Sequence, residues 1–124
     1  MKDPSNPVCR TISTLLQRIG DKWTVLVVAT LGERPRRFNE LRREIPSVSQ
    51  RMLTLTLRNL ERDGLVSRAV TPSIPPRVDY ALTDLGHSLL SPVSALTQWA
   101  LDNVASIHAA QARFDADHDK AEAA

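Results

Sequence analysis

Cysteine is all but missing from this 124-residue chain, where Cys9 stands alone. One thiol excludes an internal disulfide and a thiolate metal site, and leaves a buried thiol, a reactive thiol or half of a bond to another chain. Glycine is also scarce, with four residues that all fall at the ends of predicted elements, so there is no glycine-rich loop to cradle a phosphate. Long apolar runs are lacking as well. The longest, Val25-Leu26-Val27-Val28-Ala29, is far short of the ~20 residues that a membrane span needs. Residues 1–6 hold no apolar leader stretch, and the expectation is a soluble, non-secreted protein with no membrane contact. His87, His108 and His118 have no metal-ligand spacing and read as surface residues. With no nucleophile, acid–base pair or metal set in place, neither catalysis nor a cofactor is expected.

What is present suits one ordinary globular domain: 13.8 kDa, 42% hydrophobic and 24% charged residues. A chain of this size can bury roughly two thirds of its unfolded surface, enough for a self-sufficient core. Its charge is unevenly placed. Residues 34–77 carry ten arginines against Glu40, Glu44, Glu61 and Asp63, whereas residues 78–124 carry two basic and seven acidic groups. An all-arginine basic segment suits a polyanion, because the guanidinium fork grips phosphate oxygens in pairs. The alternative is that these arginines only solvate helix surfaces.

Apolar spacing predicts a helix from Cys9 to Ile19 with Ile12, Leu15, Leu16 and Ile19 on one face, ended by Gly20. A second runs from Lys22 to Leu31 after the candidate N-cap Asp21, apolar enough to be buried on several sides and contributing Trp23 to the core. Residues 32–35 read as a turn. A short third helix from Phe38 to Ile45 turns Phe38, Leu41 and Ile45 inward and leaves Arg42 and Arg43 outside. After a four-residue turn, Ser49 is the candidate N-cap of a fourth helix to about Asp63, with Leu53, Leu57 and Leu60 inside and Gln50, Arg51, Thr54, Leu55 and Arg58 outside. Two alternating runs, residues 65–71 and 77–82, flank a loop with three prolines and predict a hairpin. Thr83-Asp84 then signals a long helical region that Pro92 is expected to kink or divide, with the last ten residues frayed.

Helix, helix, short helix, turn, helix and hairpin is the order of a winged helix-turn-helix, in which the helix after the turn enters the DNA major groove and the hairpin is a wing beside it. The arginine excess falls on these same elements. At this level of detail the chain resembles the HxlR-type winged helix-turn-helix transcriptional regulators. The resemblance rests on Ile19-Gly20-Asp21-Lys22-Trp23-Thr24, residues 35–43 (PRRFNELRR), residues 49–54 (SQRMLT), residues 57–66 (LRNLERDGLV) and residues 75–86 (PPRVDYALTDLG), spread in order over residues 7–100. It implies a mainly α fold with a small hairpin, a DNA-reading part over about residues 34–82 and flanking dimerisation helices at about 9–19 and 83–115. It also implies a cytoplasmic homodimer on double-stranded DNA that, in some members, senses electrophiles or oxidants through a cysteine near the N-terminus.

Carried over position by position, Ser49 caps the reading helix and can favour a phosphate there. Gln50 and Arg51 reach base edges from its first turn; Thr54 and Arg58 follow on the same face. Leu55 departs from the glutamine of many relatives, and is either a contact to a thymine methyl or part of the core. Arg36, Arg37, Arg42 and Arg43 are candidate backbone-phosphate contacts. In the wing, Arg68 and Arg77 can enter a minor groove, or Arg77 can pair with Asp79. Cys9 lies at a helix start beside Arg10, which favours a thiolate, yet here Pro7-Val8 precedes the cysteine instead of following it, so it is either the sensing thiol or an inert interface thiol. The apolar stripe of the last helix favours a dimer, with Trp99 at the interface or in the core, and a twofold dimer implies an inverted-repeat operator. Two other readings stay open: a regulator that answers to a small ligand with Cys9 inert, and a winged helix used to bind a protein.

Overall fold

The computed structural model describes residues 5–123, with side chains to residue 120. Residues 1–4, within the stretch read above for a leader, and residue 124 lie outside the described residues. The chain forms two compact units, one through Leu90 and one from Ser91 onward.

The first helix, α1 (Pro7–Ile19), starts two residues earlier than its apolar period predicts. Asn6 caps it, its side-chain oxygen accepting from the Val8 amide at 2.8 Å, and Pro7 takes the first position, where a missing N–H costs nothing. No α1 side chain is fully buried: Ile12 and Ile19 are half-buried, and Leu15 and Leu16 exposed. The second helix, α2 (Lys22–Glu33), runs through the predicted turn at Gly32. Its stop is Arg34, which the following Pro35 forces into extended backbone. Asp21 stands at its N-cap without a side-chain cap bond. Burial is one-sided: Thr24, Val27, Val28 and Leu31 are inside, while Leu26 and Ala29 face out, correcting the expectation of burial on several sides.

Two short elements make the helix-turn-helix. In α3 (Phe38–Glu44) the Glu40 carboxylate reaches back to accept from the Arg37 amide at 3.0 Å. Ile45 and Val48 are buried in the turn, and α4 (Gln50–Arg62) begins where the Ser49 hydroxyl accepts from the Met52 amide at 3.1 Å. It stops at Asp63 and at Gly64, whose φ of +76° suits a residue without a side chain. The wing is the antiparallel pair β1 (Val66–Thr71) and β2 (Arg77–Leu82), in register from Val66 opposite Leu82 to Thr71 opposite Arg77. Arg36 extends this sheet through a two-hydrogen-bond bridge to Tyr80, at 2.9 and 2.8 Å. The Thr83 hydroxyl then caps α5 (Asp84–Ser88) by accepting from the Gly86 amide at 3.1 Å.

Val27, Val28 and Leu31 of α2, Leu41 of α3, Leu53, Leu57 and Leu60 of α4, and Val66 and Leu82 of the wing form one aliphatic core. Trp23, Phe38 and Tyr80 pack against it from its edges. The helix α4 and the wing are thus seated on the same apolar base, which sets their spacing. The architecture is a winged helix-turn-helix, mainly helical with a two-stranded hairpin.

The helix α6 (Leu90–Ala123) is continuous over 34 residues. The break in the C-terminal helical region falls at Leu89, and Pro92 sits in the first turn of α6, where it is compatible with helix, instead of kinking it. Residues 115–123 are helical rather than frayed, in keeping with their alanine and charged composition. Leu96, Trp99, Val104, Ile107 and Phe114 of α6 are exposed. Among the described residues, no helix is long and apolar enough to cross a membrane.

Candidate nucleic-acid interface

The amphipathic period of α4 directs Leu53, Thr56, Leu57 and Leu60 into the core. The opposite face presents Gln50, Arg51, Thr54, Leu55 and Arg58, which together border one surface groove of about 560 Å³. Leu55, left open between core and surface by its sequence position, is 50% exposed on this face. Thr54 is half-buried and donates its hydroxyl to the Gln50 carbonyl at 2.8 Å, which leaves its oxygen as an acceptor. Ser49 accepts from the Met52 amide in the cap, which leaves its hydroxyl hydrogen and a second lone pair for another partner.

A second groove of about 560 Å³ lies between α4 and the wing, where Gln50, Thr54 and Arg58 face Arg68, Val78 and Tyr80. Glu61 also borders it, a carboxylate whose place beside two guanidiniums sequence reading did not single out. A third groove, of about 670 Å³, joins the start of α3 to the wing and gathers Arg37, Arg43 and Arg77 with Arg34, Asn39 and Pro76. Arg42 is exposed on α3 outside these three grooves. Two of these grooves are bordered by α4, and the third lies between α3 and the wing.

The arginines divide sharply by partner. Arg37, Arg42, Arg43, Arg51, Arg58 and Arg68 are exposed, and none makes a side-chain ion pair among the described residues. Arg77 is exposed but paired with Asp79 at 3.0 Å, the alternative that its spacing left open. Arg34, not among the predicted contacts, binds Glu40 at 3.2 Å. This bond and, more strongly, the Arg37 amide hold the Glu40 carboxyl below its ordinary range.

Arg36 is a correction. Read as a phosphate contact, it is only 2% exposed, and its guanidinium is consumed from three sides. It grips Glu44 with two N–H groups at 2.7 and 3.1 Å, Glu33 with another at 3.1 Å, and the Arg34 carbonyl at 2.7 Å. The hydrogen bonds to Glu44 raise the Arg36 pKa and hold the Glu44 carboxyl below the usual glutamate range. The physical reason is the bridge to Tyr80, which fixes the Arg36 backbone at the sheet edge and commits its side chain to the interior beside α3. A guanidinium with this many protein acceptors has no fork left for a phosphate.

Cys9 lies in the first turn of α1 and is half-buried. It is about forty positions away in the chain from the start of α4.

This geometry agrees with comparison to known proteins. Residues 18–108 match the HxlR-like helix-turn-helix family. An HTH-type transcriptional regulator of Methanothermobacter thermautotrophicus is 46% identical over 89 residues, 72% of this chain and 68% of that protein. The redox regulator HypR in its reduced form is similar at 39% identity and a TM-score of 0.73, covering 80% of this chain and 98% of that one. The reduced form of the transcriptional regulator YodB from B. subtilis is similar at 33% identity and a TM-score of 0.66, over 77% and 90%. With its arginine-flanked reading helix and wing, this chain belongs to the HxlR-like helix-turn-helix family of DNA-binding transcriptional regulators.

Proposed function

We propose that the chain acts as a homodimer that reads an inverted-repeat operator, with α4 in the major groove and the wing on the flanking backbone or minor groove. One observation carries this reading: Gln50, Arg51, Leu55 and Arg58 share the outward face of α4, and Arg51, Arg58 and the neighbouring wing residue Arg68 have no carboxylate partner among the described residues. Arg51 and Gln50 supply hydrogen bonds to base edges, Leu55 an apolar contact suited to a thymine methyl, and Arg58 and Thr54 contacts at the edge of the site. Ser49 supports the helix start, while Arg37, Arg42, Arg43, Arg68 and Arg77 serve as positioning contacts, Arg77 only after it yields Asp79.

Selection of bound sequences from a random duplex pool tests the reading, and an enriched inverted repeat is the expected result. On the selected operator, Arg51→Ala should cost about 1 to 3 kcal/mol and relax base choice at one position of each half-site. Uniform weakening of all duplexes instead would demote Arg51 to a phosphate contact, and no enrichment at all would revive the protein-binding reading.

Dimerisation is assigned to exposed apolar side chains on α6, where Leu96, Ile107 and Phe114 recur at helical spacing, together with Val8 and Leu16 of α1. Leu96→Glu with Ile107→Glu should yield a monomer in sedimentation and a large loss of operator affinity; a dimer unchanged by both would move the interface elsewhere. Cys9 is assigned the response to oxidants. Its half-buried place at the start of α1 and the likeness to HypR, a redox regulator, support this assignment. Loss of the enriched repeat after diamide treatment, with the repeat retained in Cys9→Ala, is the expected outcome; retention in both proteins would retire Cys9 as the switch.

A further inference from the structure

The far end of α4 carries a basic surface away from the face proposed to read DNA. Arg62 and Asp63 lie about 18 Å along the helix axis from Gln50, at the end opposite the first turn. There, Arg10, Thr14, Leu15 and Arg18 of α1 and these two residues line a groove of about 410 Å³. Three guanidiniums meet one carboxylate in it. Arg18 and Asp63 pair with each other, each about four-fifths buried. Arg10 and Arg62 are exposed and make no side-chain hydrogen bond or ion pair among the described residues. Like charges gathered around one space, with a single internal anion already engaged, leave that space attractive to a second anion.

The rest of the lining narrows the class of anion. Thr11 and Thr14 also line the groove, and their hydroxyls donate to the Pro7 and Arg10 carbonyls at 3.0 and 2.9 Å, so those hydrogens are already engaged. Leu15 adds an apolar wall that is 42% exposed. Guanidinium forks beside an apolar wall fit a small organic carboxylate better than a fully polar oxyanion such as phosphate.

We propose that this groove binds a small organic carboxylate between Arg10 and Arg62, and that the bound anion competes with Asp63 for Arg18. Asp63 is the C-cap of α4 and Arg18 belongs to α1, a helix with no fully buried side chain. The Arg18–Asp63 pair is thus a polar tie between α1 and the end of the reading helix, and an anion that draws Arg18 away loosens it. Ligand binding itself is independent of the reading in the preceding subsection; only its effect on DNA rests on that reading.

The test uses the full chain and benzoate as the probe, with inorganic phosphate as a second arm, followed by amide chemical shifts in the absence of DNA. Benzoate should shift residues 10–18 and 61–63 in a saturable manner, and Arg10→Ala with Arg62→Ala should weaken it at least tenfold. Asp63→Asn, which frees Arg18 for the ligand, should tighten it severalfold. Equal or tighter phosphate binding would overturn the organic-carboxylate assignment. Absence of saturable shifts, or shifts indifferent to all three substitutions, would overturn the site. A saturating concentration of benzoate should also lower operator affinity, and by linkage the operator should lower benzoate affinity by the same factor. Benzoate binding without this effect would overturn the coupling to α4, and a chain that selects no operator would leave the shift experiment fully readable.

Discussion

Arg36→Ala should destabilise the protein by about 3 kcal/mol and leave the salt dependence of duplex binding unchanged. Removing one partner of a buried ion pair costs about 3 to 5 kcal/mol when the other charge is stranded. Here Glu33 and Glu44 reach solvent and can rehydrate, which lowers that figure. Against this, the Arg34 carbonyl loses its donor and the space of a nearly inaccessible side chain is left beside the core. Arg36→Lys should recover only part of the loss, because one ammonium cannot make the paired contact to Glu44 or span three acceptors. Urea denaturation measures the first effect, and the salt slope on a random duplex the second. A protein of full stability with a flattened slope would return Arg36 to the phosphate-contacting set.

The same pair sets a pH dependence. The Glu44 carboxyl is depressed in the folded state, chiefly by its hydrogen bonds to Arg36. Its contribution is therefore present above the unfolded glutamate value of about 4.3 and is lost as pH falls through the folded value. Arg36→Ala has no such contribution to lose. The stability gap between the two proteins should be constant near neutrality and narrow as pH drops below about 4; a gap that widens there would mean that another group carries the acid limb.

Gly86→Ala is expected to be comparably severe, about 3 kcal/mol. A Cβ at this position would stand 2.1 Å from the Leu65 carbonyl oxygen, far inside contact distance, and the obstacle is backbone that cannot rotate aside. That carbonyl already accepts from the Thr83 amide at 3.1 Å, and the Thr83 hydroxyl both caps α5 and donates to the Gly64 carbonyl at 2.6 Å. Separating α5 from Leu65 would therefore strain the junction that leads from α4 into the wing. Gly64→Ala is the informative contrast: its φ of +76° is unfavourable for alanine, but no atom lies within 4 Å of the added carbon, so about 1 kcal/mol is expected. Equal melting temperatures for Gly86→Ala and the parent protein would show that the close approach relaxes freely.

The outward face of α4 was legible in the residues themselves, because a 3.6-residue period places Leu53, Leu57 and Leu60 on one side and forces Gln50, Arg51, Leu55 and Arg58 to the other. The Ser49 cap and the stop at Gly64 are likewise set by neighbours a few residues apart. Errors fell where two local signals competed. At the end of α2 the restriction that Pro35 places on Arg34 prevailed over the weak helix propensity of Gly32, and at Pro92 its position in the first turn of α6 made it harmless. The sorting of the arginines was of another kind. Arg36 and Arg37 are adjacent and alike in sequence, yet one is buried and the other exposed because Arg36 bridges to Tyr80, 44 positions away, and Glu44 and Glu33 converge on its side chain. Arg18 is likewise tied to Asp63 across the fold, while Arg10 and Arg62 beside it make no ion pair among the described residues. Period and capping act over one or two turns of chain and so determined the elements and the outward face; which cations remain open to an anion depends on carboxylates and carbonyls delivered from distant segments, and only the packed tertiary structure decided that.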